Sequence, residues 1–131
     1  MKLNTFLTIN AFMIVPYGLG MLTLPSLIFP LVGVHLDADG LVMASTVELM
    51  LLSFGLICFL RRNESLTSIG MLAMLTGNLV FQSLDSFLTG KGAITEVMNP
   101  MDFIFSGMRF IFAIGFLYFL IKARKPKTFL S

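Results

Sequence analysis

The sequence predicts an all-α membrane protein, a four-transmembrane-helix antiparallel bundle with a short interfacial or re-entrant segment after the first helix. Three observations predict it. The 131 residues are 56% hydrophobic and only 12% charged, with a mean hydropathy of +0.92. A soluble domain carries about 25% charged residues, and one of roughly 150 residues buries only about 70% of the surface it could expose. Lipid must therefore solvate much of this chain. Four apolar runs also approach the roughly 20 residues that cross a 30 Å hydrocarbon core at 1.5 Å per residue. Finally, these runs are continuous and not alternating, and four strands cannot close a membrane barrel.

The first span runs from about Thr5 to Leu22. Lys2 followed by an apolar run is similar to a signal peptide, but Leu22-Thr23-Leu24-Pro25 offers no small-residue cleavage site, so the span is retained. Pro16 forfeits a backbone hydrogen bond, and with Gly18 and Gly20 beside it a kink or loosened half-helix is expected. The stretch Leu24 to Val34 is apolar, too short to span and interrupted by Pro25 and Pro30, which suits an interfacial or re-entrant segment. Leu36-Asp37-Ala38-Asp39-Gly40 then turns the chain, and Asp37 or Asp39 can cap the second span, Leu41 to Leu60.

The third span covers about Leu66 to Leu88 and the fourth Phe103 to Ile121, with Asp102 placed to cap the latter. The link Arg61-Arg62-Asn63-Glu64-Ser65 is short, which predicts antiparallel neighbours in spans two and three. On span three, Gly70, Ala73 and Gly77 form a small face where another helix can approach closely.

Lysine and arginine set the orientation. Lys2, Arg61, Arg62, Lys122, Arg124, Lys125 and Lys127 fall on one side, against Lys91 alone on the other. That asymmetry places both termini in the cytoplasm, the basic tail resting on anionic headgroups. A net charge of only +2, gathered at span ends, reads as topology and not as nucleic-acid binding.

Ionisable groups inside spans are costly and mark sites or specific helix contacts. Asn78, Gln82 and Asp85 share one face of span three by their i, i+4, i+7 spacing. Ser45 and Glu48 share a face of span two, and Ser106 and Arg109 continue from Asp102 along a face of span four. Glu48 lies about 12 Å of helix below Gly40, and Arg109 about 10 Å below Asp102. Their like depth predicts a Glu48–Arg109 pair, and the seven residues Ser45, Glu48, Asn78, Gln82, Asp85, Ser106 and Arg109 form the candidate ligand-binding set.

Other chemistries find little here. One cysteine, Cys58, forms no intrachain disulfide or cysteine-based zinc site, and one histidine, His35, cannot supply two axial haem ligands. Met98 and Met101 place two thioethers in an outer loop, as Cu(I) would want, but methionine is an ordinary packing residue in an apolar chain. No phosphate loop, dinucleotide fingerprint, zinc-protease helix or nucleophile elbow occurs. We expect no catalytic residue, metal or cofactor.

Leu3-Asn4, Gly18 to Leu22, Pro25, and Gly33-Val34-His35-Leu36-Asp37-Ala38-Asp39-Gly40-Leu41, with Gly77-Asn78 later, resemble a family of small uncharacterised bacterial membrane proteins, DoxX-like in layout. The resemblance implies a four-helix membrane fold in a bacterial inner membrane and no catalytic residues. The leading expectation is a non-enzymatic accessory or assembly subunit, or a small oligomer, with membrane lipid and a homo-oligomer or larger membrane complex as partners. The alternative is a ligand-binding or transport protein with an outward-facing polar cavity on Glu48, Asp85 and Arg109. A third is a membrane enzyme acting on lipid or quinone.

Overall fold

A computed structural model describes residues 1–31, 33–95 and 99–124. Outside the described residues lie Val32 of the apolar segment, Glu96 and Met98 of the second outer loop, and the tail residues Lys125 and Lys127. Among the described residues five helices form: α1 Leu3–Thr23, α2 Pro25–Leu31, α3 Ala38–Leu60, α4 Ile69–Ile94 and α5 Asp102–Arg124.

Local chemistry sets most of the boundaries. Asp37 caps α3 by accepting from the Gly40 N–H at 2.8 Å, and Ser68 caps α4 by accepting from Met71 N–H at 3.1 Å. The sequence reading stops the third span at Leu88, but α4 runs on through Gly90 and Gly92 to Ile94. α1 likewise continues as helix through Pro16, so the proline does not break it. Asp102 is not the expected cap: an Asx turn from Asn99, whose Oδ1 accepts from Met101 N–H at 2.8 Å, shapes that helix start. α2 opens with proline at its first position, where the missing N–H is harmless. Its seven residues rise only about 10 Å, so it cannot span. Gly33 follows at φ 78°, a backbone favouring glycine, and Asn99 Nδ2 donates to Leu31 O at 2.9 Å across the bundle end.

α1, α3 and α5 are long and apolar enough to cross a membrane. α4 is the longest helix, at 26 residues, but Asn78, Gln82, Asp85 and Lys91 lower its mean hydropathy. The four expected spans are thus three by length and composition, plus a long polar-faced helix.

The helices associate as two antiparallel pairs, α1 with α3 and α4 with α5, and contacts between the pairs are sparse. The short link therefore does not make α3 and α4 intimate neighbours. They meet at points such as the stacked rings of Phe54 and Phe81, 5.4 Å apart. Small residues explain the actual pairing. A Cβ on Gly18 would sit 3.4 Å from the Glu48 carbonyl and the Leu52 N–H, and one on Gly55 only 2.8 Å from Val15 Cγ2. These glycines, not the Gly70–Gly77 face, bring two backbones together: a Cβ on Gly77 would meet its nearest neighbour at 3.7 Å.

Two apolar layers hold the ends of the bundle. Phe6, Cys58, Met71, Leu75, Phe116 and Phe119 make one, which gathers the amino terminus, the 61–68 link and the end of α5 on the same side. Met21 and Phe29, with Tyr17, Leu41 and Phe105 against them, make the other, beneath α2. The outer faces are apolar and exposed, as at Val42, Met43, Val47 and Leu60 on α3 and Ile104, Phe110 and Ile111 on α5. Only 22% of the apolar window of α3, and the same share for α5, is buried within the chain. Surface of that kind suits acyl chains and not water.

Candidate functional site

Between the two layers the interior turns polar. Asn10 on α1 donates from Nδ2 to Cys58 Sγ on α3 at 3.6 Å, and its Oδ1 accepts from Gln82 Nε2 on α4 at 3.5 Å. This chain of contacts links the two helix pairs. Asn78 donates to the Met74 carbonyl of its own helix at 3.0 Å. Ser86 and Ser106 clasp α4 to α5, each hydroxyl donating to the other residue's carbonyl at 2.8 Å.

Arg109 forms its ion pair with Asp85, not with Glu48. The reason is lateral: α5 packs along α4, whereas Glu48 sits on α3, whose partner is α1. The Arg109 guanidinium also lies over the Tyr17 ring, 5.9 Å from its centre. Glu48 is 9% exposed and Asp102 2%, yet Glu48 Oε2 and Asp102 Oδ2 have no hydrogen-bond partner. Buried polar atoms are normally satisfied, so such atoms require an explanation.

Both carboxylates border one cavity of about 150 Å³ to which all five helices or their adjoining turns contribute. Tyr17 and Met21 come from α1, Phe29 and Val34 from α2 and the turn after it, and Glu48 from α3. Asp85 and Thr89 come from α4, and Asp102, Phe105 and Arg109 from α5. A second, more apolar cleft of about 180 Å³ lies between α1 and α5 and reaches Gln82. It shares Tyr17, Phe105 and Arg109 with the first, so the two adjoin.

Of the seven candidate residues, Glu48, Asp85 and Arg109 share the polar cavity, and Gln82 borders the cleft. Asn78 is fully buried in the polar layer. Ser106 serves the α4–α5 clasp, and Ser45 only donates to the Leu41 carbonyl of its own helix at 2.8 Å. Sequence reasoning missed Tyr17, Thr89, Phe105 and the cavity-lining position of Asp102. A signal existed for two of them, since Asn10 and Tyr17, like Asp102 and Arg109, are spaced i, i+7 on one helix face. Among the described residues no three His, Cys, Asp or Glu side chains group closely enough to hold a metal ion. Compared with protein-family models, curated proteins and solved structures, the chain matches none.

Proposed function

We propose that this chain is a four-span integral membrane protein that binds a small polar ligand, or the polar head of a larger one, in the cavity beneath α2. The observation that carries this reading is that the buried Glu48 and Asp102 carboxylates border that cavity, each with one oxygen, Glu48 Oε2 and Asp102 Oδ2, lacking a hydrogen-bond partner. An unmet buried acceptor costs about 1–3 kcal/mol, more when charged, and a ligand that meets it recovers that cost. α4 is the fourth span. Its polar side chains Asn78, Gln82 and Ser86 are buried against neighbours, and Val80, Leu84, Phe87 and Leu88 face outward. Its low hydropathy is therefore an interior property, compatible with lipid outside. The lysine and arginine asymmetry of the sequence supports cytoplasmic termini, and the DoxX-like resemblance supports a bacterial inner membrane.

A ligand-binding role is preferred to an accessory role because the broad outer face of α3, beyond the exposed Asp39 of its first turn, offers a partner no free polar group. Its hydroxyls at Thr46 and Ser53 are spent on the Val42 and Leu49 carbonyls, at 3.1 and 2.8 Å, which is what a lipid-facing helix needs.

Extraction into mild detergent, followed by mass spectrometry of bound small molecules, tests the proposal. The wild-type protein should retain a species that the folded double variant Glu48→Leu, Asp102→Leu loses. If nothing is retained and that variant is simply more stable, the carboxylates are an uncompensated packing cost and the binding reading fails.

A further inference from the structure

The site's unmet atoms are all of one kind. Among the residues bordering the cavity and the adjoining cleft, Glu48 Oε2, Asp102 Oδ2 and Gln82 Oε1 are buried, without hydrogen-bond partners, and every one is an oxygen acceptor. A further unmet atom at the site, Asp85 Oδ2, is also an oxygen and faces the Arg109 guanidinium. Among the described residues the cavity wall carries three carboxylates, at Glu48, Asp85 and Asp102, against one cation, Arg109. Its complement is a positively charged hydrogen-bond donor, and an ammonium group offers three N–H donors and no acceptor. The aromatic rings of Tyr17, Phe29 and Phe105 on the same wall are compatible with such a cation as well.

Size and surroundings narrow the class. About 150 Å³ holds a headgroup and little more, since one water occupies about 30 Å³ of liquid. The adjoining cleft between α1 and α5 is walled mostly by apolar side chains, among them Met13, Ile14, Met108 and Phe112, and continues from Tyr17 and Arg109. It is where a tail would lie. From this we infer that the ligand is an amphiphilic primary amine, its ammonium held between Glu48 and Asp102 and its apolar tail lying between α1 and α5. This deepens the binding role proposed above and rests on it. The amine can belong to a free amphiphile or to an aminophospholipid headgroup, and the two share this chemistry.

The test uses the full chain in maltoside micelles, with binding followed by native mass spectrometry and thermal unfolding, and dodecylammonium as the probe. It should bind and raise Tm, while Glu48→Gln and Asp102→Asn, checked for native helicity, should each weaken it about tenfold or more by removing a charge-assisted contact. Dodecyltrimethylammonium, which lacks N–H donors, should bind at least about tenfold more weakly to the wild type. Met108→Trp, which narrows the cleft, should abolish the advantage of dodecylammonium over butylammonium. In nanodiscs, a retained phosphatidylethanolamine displaced by dodecylammonium assigns the amine to lipid. Dodecylammonium binding without such retention assigns it to a free amphiphile.

Equal binding of the primary and quaternary amines, or no effect of the two carboxylate variants, overturns the inference. If laurate or dodecanol binds in a Glu48-dependent manner and dodecylammonium does not, the cavity still binds ligands but the amine class is wrong. If no probe binds and no species is retained from the membrane, both readings fall together.

Discussion

Arg109→Met removes the only basic group among the described residues that border the cavity and keeps much of its apolar stem. The structure fixes what is lost: the ion pair with Asp85 and the position over Tyr17, 5.9 Å from its centre. Breaking a fully buried pair by removing one partner costs about 3–5 kcal/mol, because the other charge is stranded. These side chains are 18% and 30% exposed, so screening lowers the expected ion-pair loss to about 2 kcal/mol. The aromatic contact adds about 0.5 kcal/mol. A double-mutant cycle then identifies the partner. Adding Asp85→Leu should recover about 1–2 kcal/mol of the loss, and adding Glu48→Gln should recover less than about 0.5 kcal/mol. Reversible unfolding in mixed micelles, followed by far-ultraviolet circular dichroism, measures all the corners. A coupling to Glu48 equal to or larger than that to Asp85 would refute the assignment and restore the partner expected from depth alone.

Gly55→Ala places a methyl 2.8 Å from Val15 Cγ2 and should cost about 1–3 kcal/mol through overpacking of α1 on α3, whereas Gly107→Ala, with open space at its Cβ, should be nearly silent in the same melts. At the link between α3 and α4, Arg61 donates to both Glu64 oxygens, at 2.5 and 2.8 Å, and holds that carboxyl below the ordinary glutamate range. A carboxylate with a depressed folded pKa stabilises above its unfolded pKa, and that contribution disappears as pH falls through the folded value. Glu64→Gln should therefore flatten the acid limb of Tm against pH and leave the limb above neutrality unchanged. A reporter fused after Ser131 should be active in the cytoplasm, and periplasmic activity would reverse the proposed orientation.

Hydropathy makes the helices legible in the sequence, and Asp37 caps α3 as expected, whereas the Ser68 cap, which starts α4 at Ile69 and not at about Leu66, is seen only in the structure. The pairing of helices was less accessible. Rise per residue orders groups along one axis, and on that axis Glu48 is a good partner for Arg109. The lateral arrangement depends on which backbones can touch. That is decided by Gly18, Gly55 and the reciprocal Ser86–Ser106 clasp, whose significance appears only once the helices are side by side. Asp102 was misread for a related reason: an aspartate at a helix start ordinarily caps, and here Asn99 shapes the turn, leaving the carboxylate to face inward.

The polarity of α4 has a consequence for how the chain enters a bilayer. As the proposed fourth span, α4 would insert less readily alone than α1, α3 and α5, because it falls short of their apolar character and its Asp85 would precede Arg109 in synthesis. That counter-ion arrives only with α5, so the four-span reading predicts that α4 and α5 insert together as a hairpin. A nascent chain halted before residue 102 should leave α4 outside the membrane, and biogenesis would then depend on the final quarter of the polypeptide.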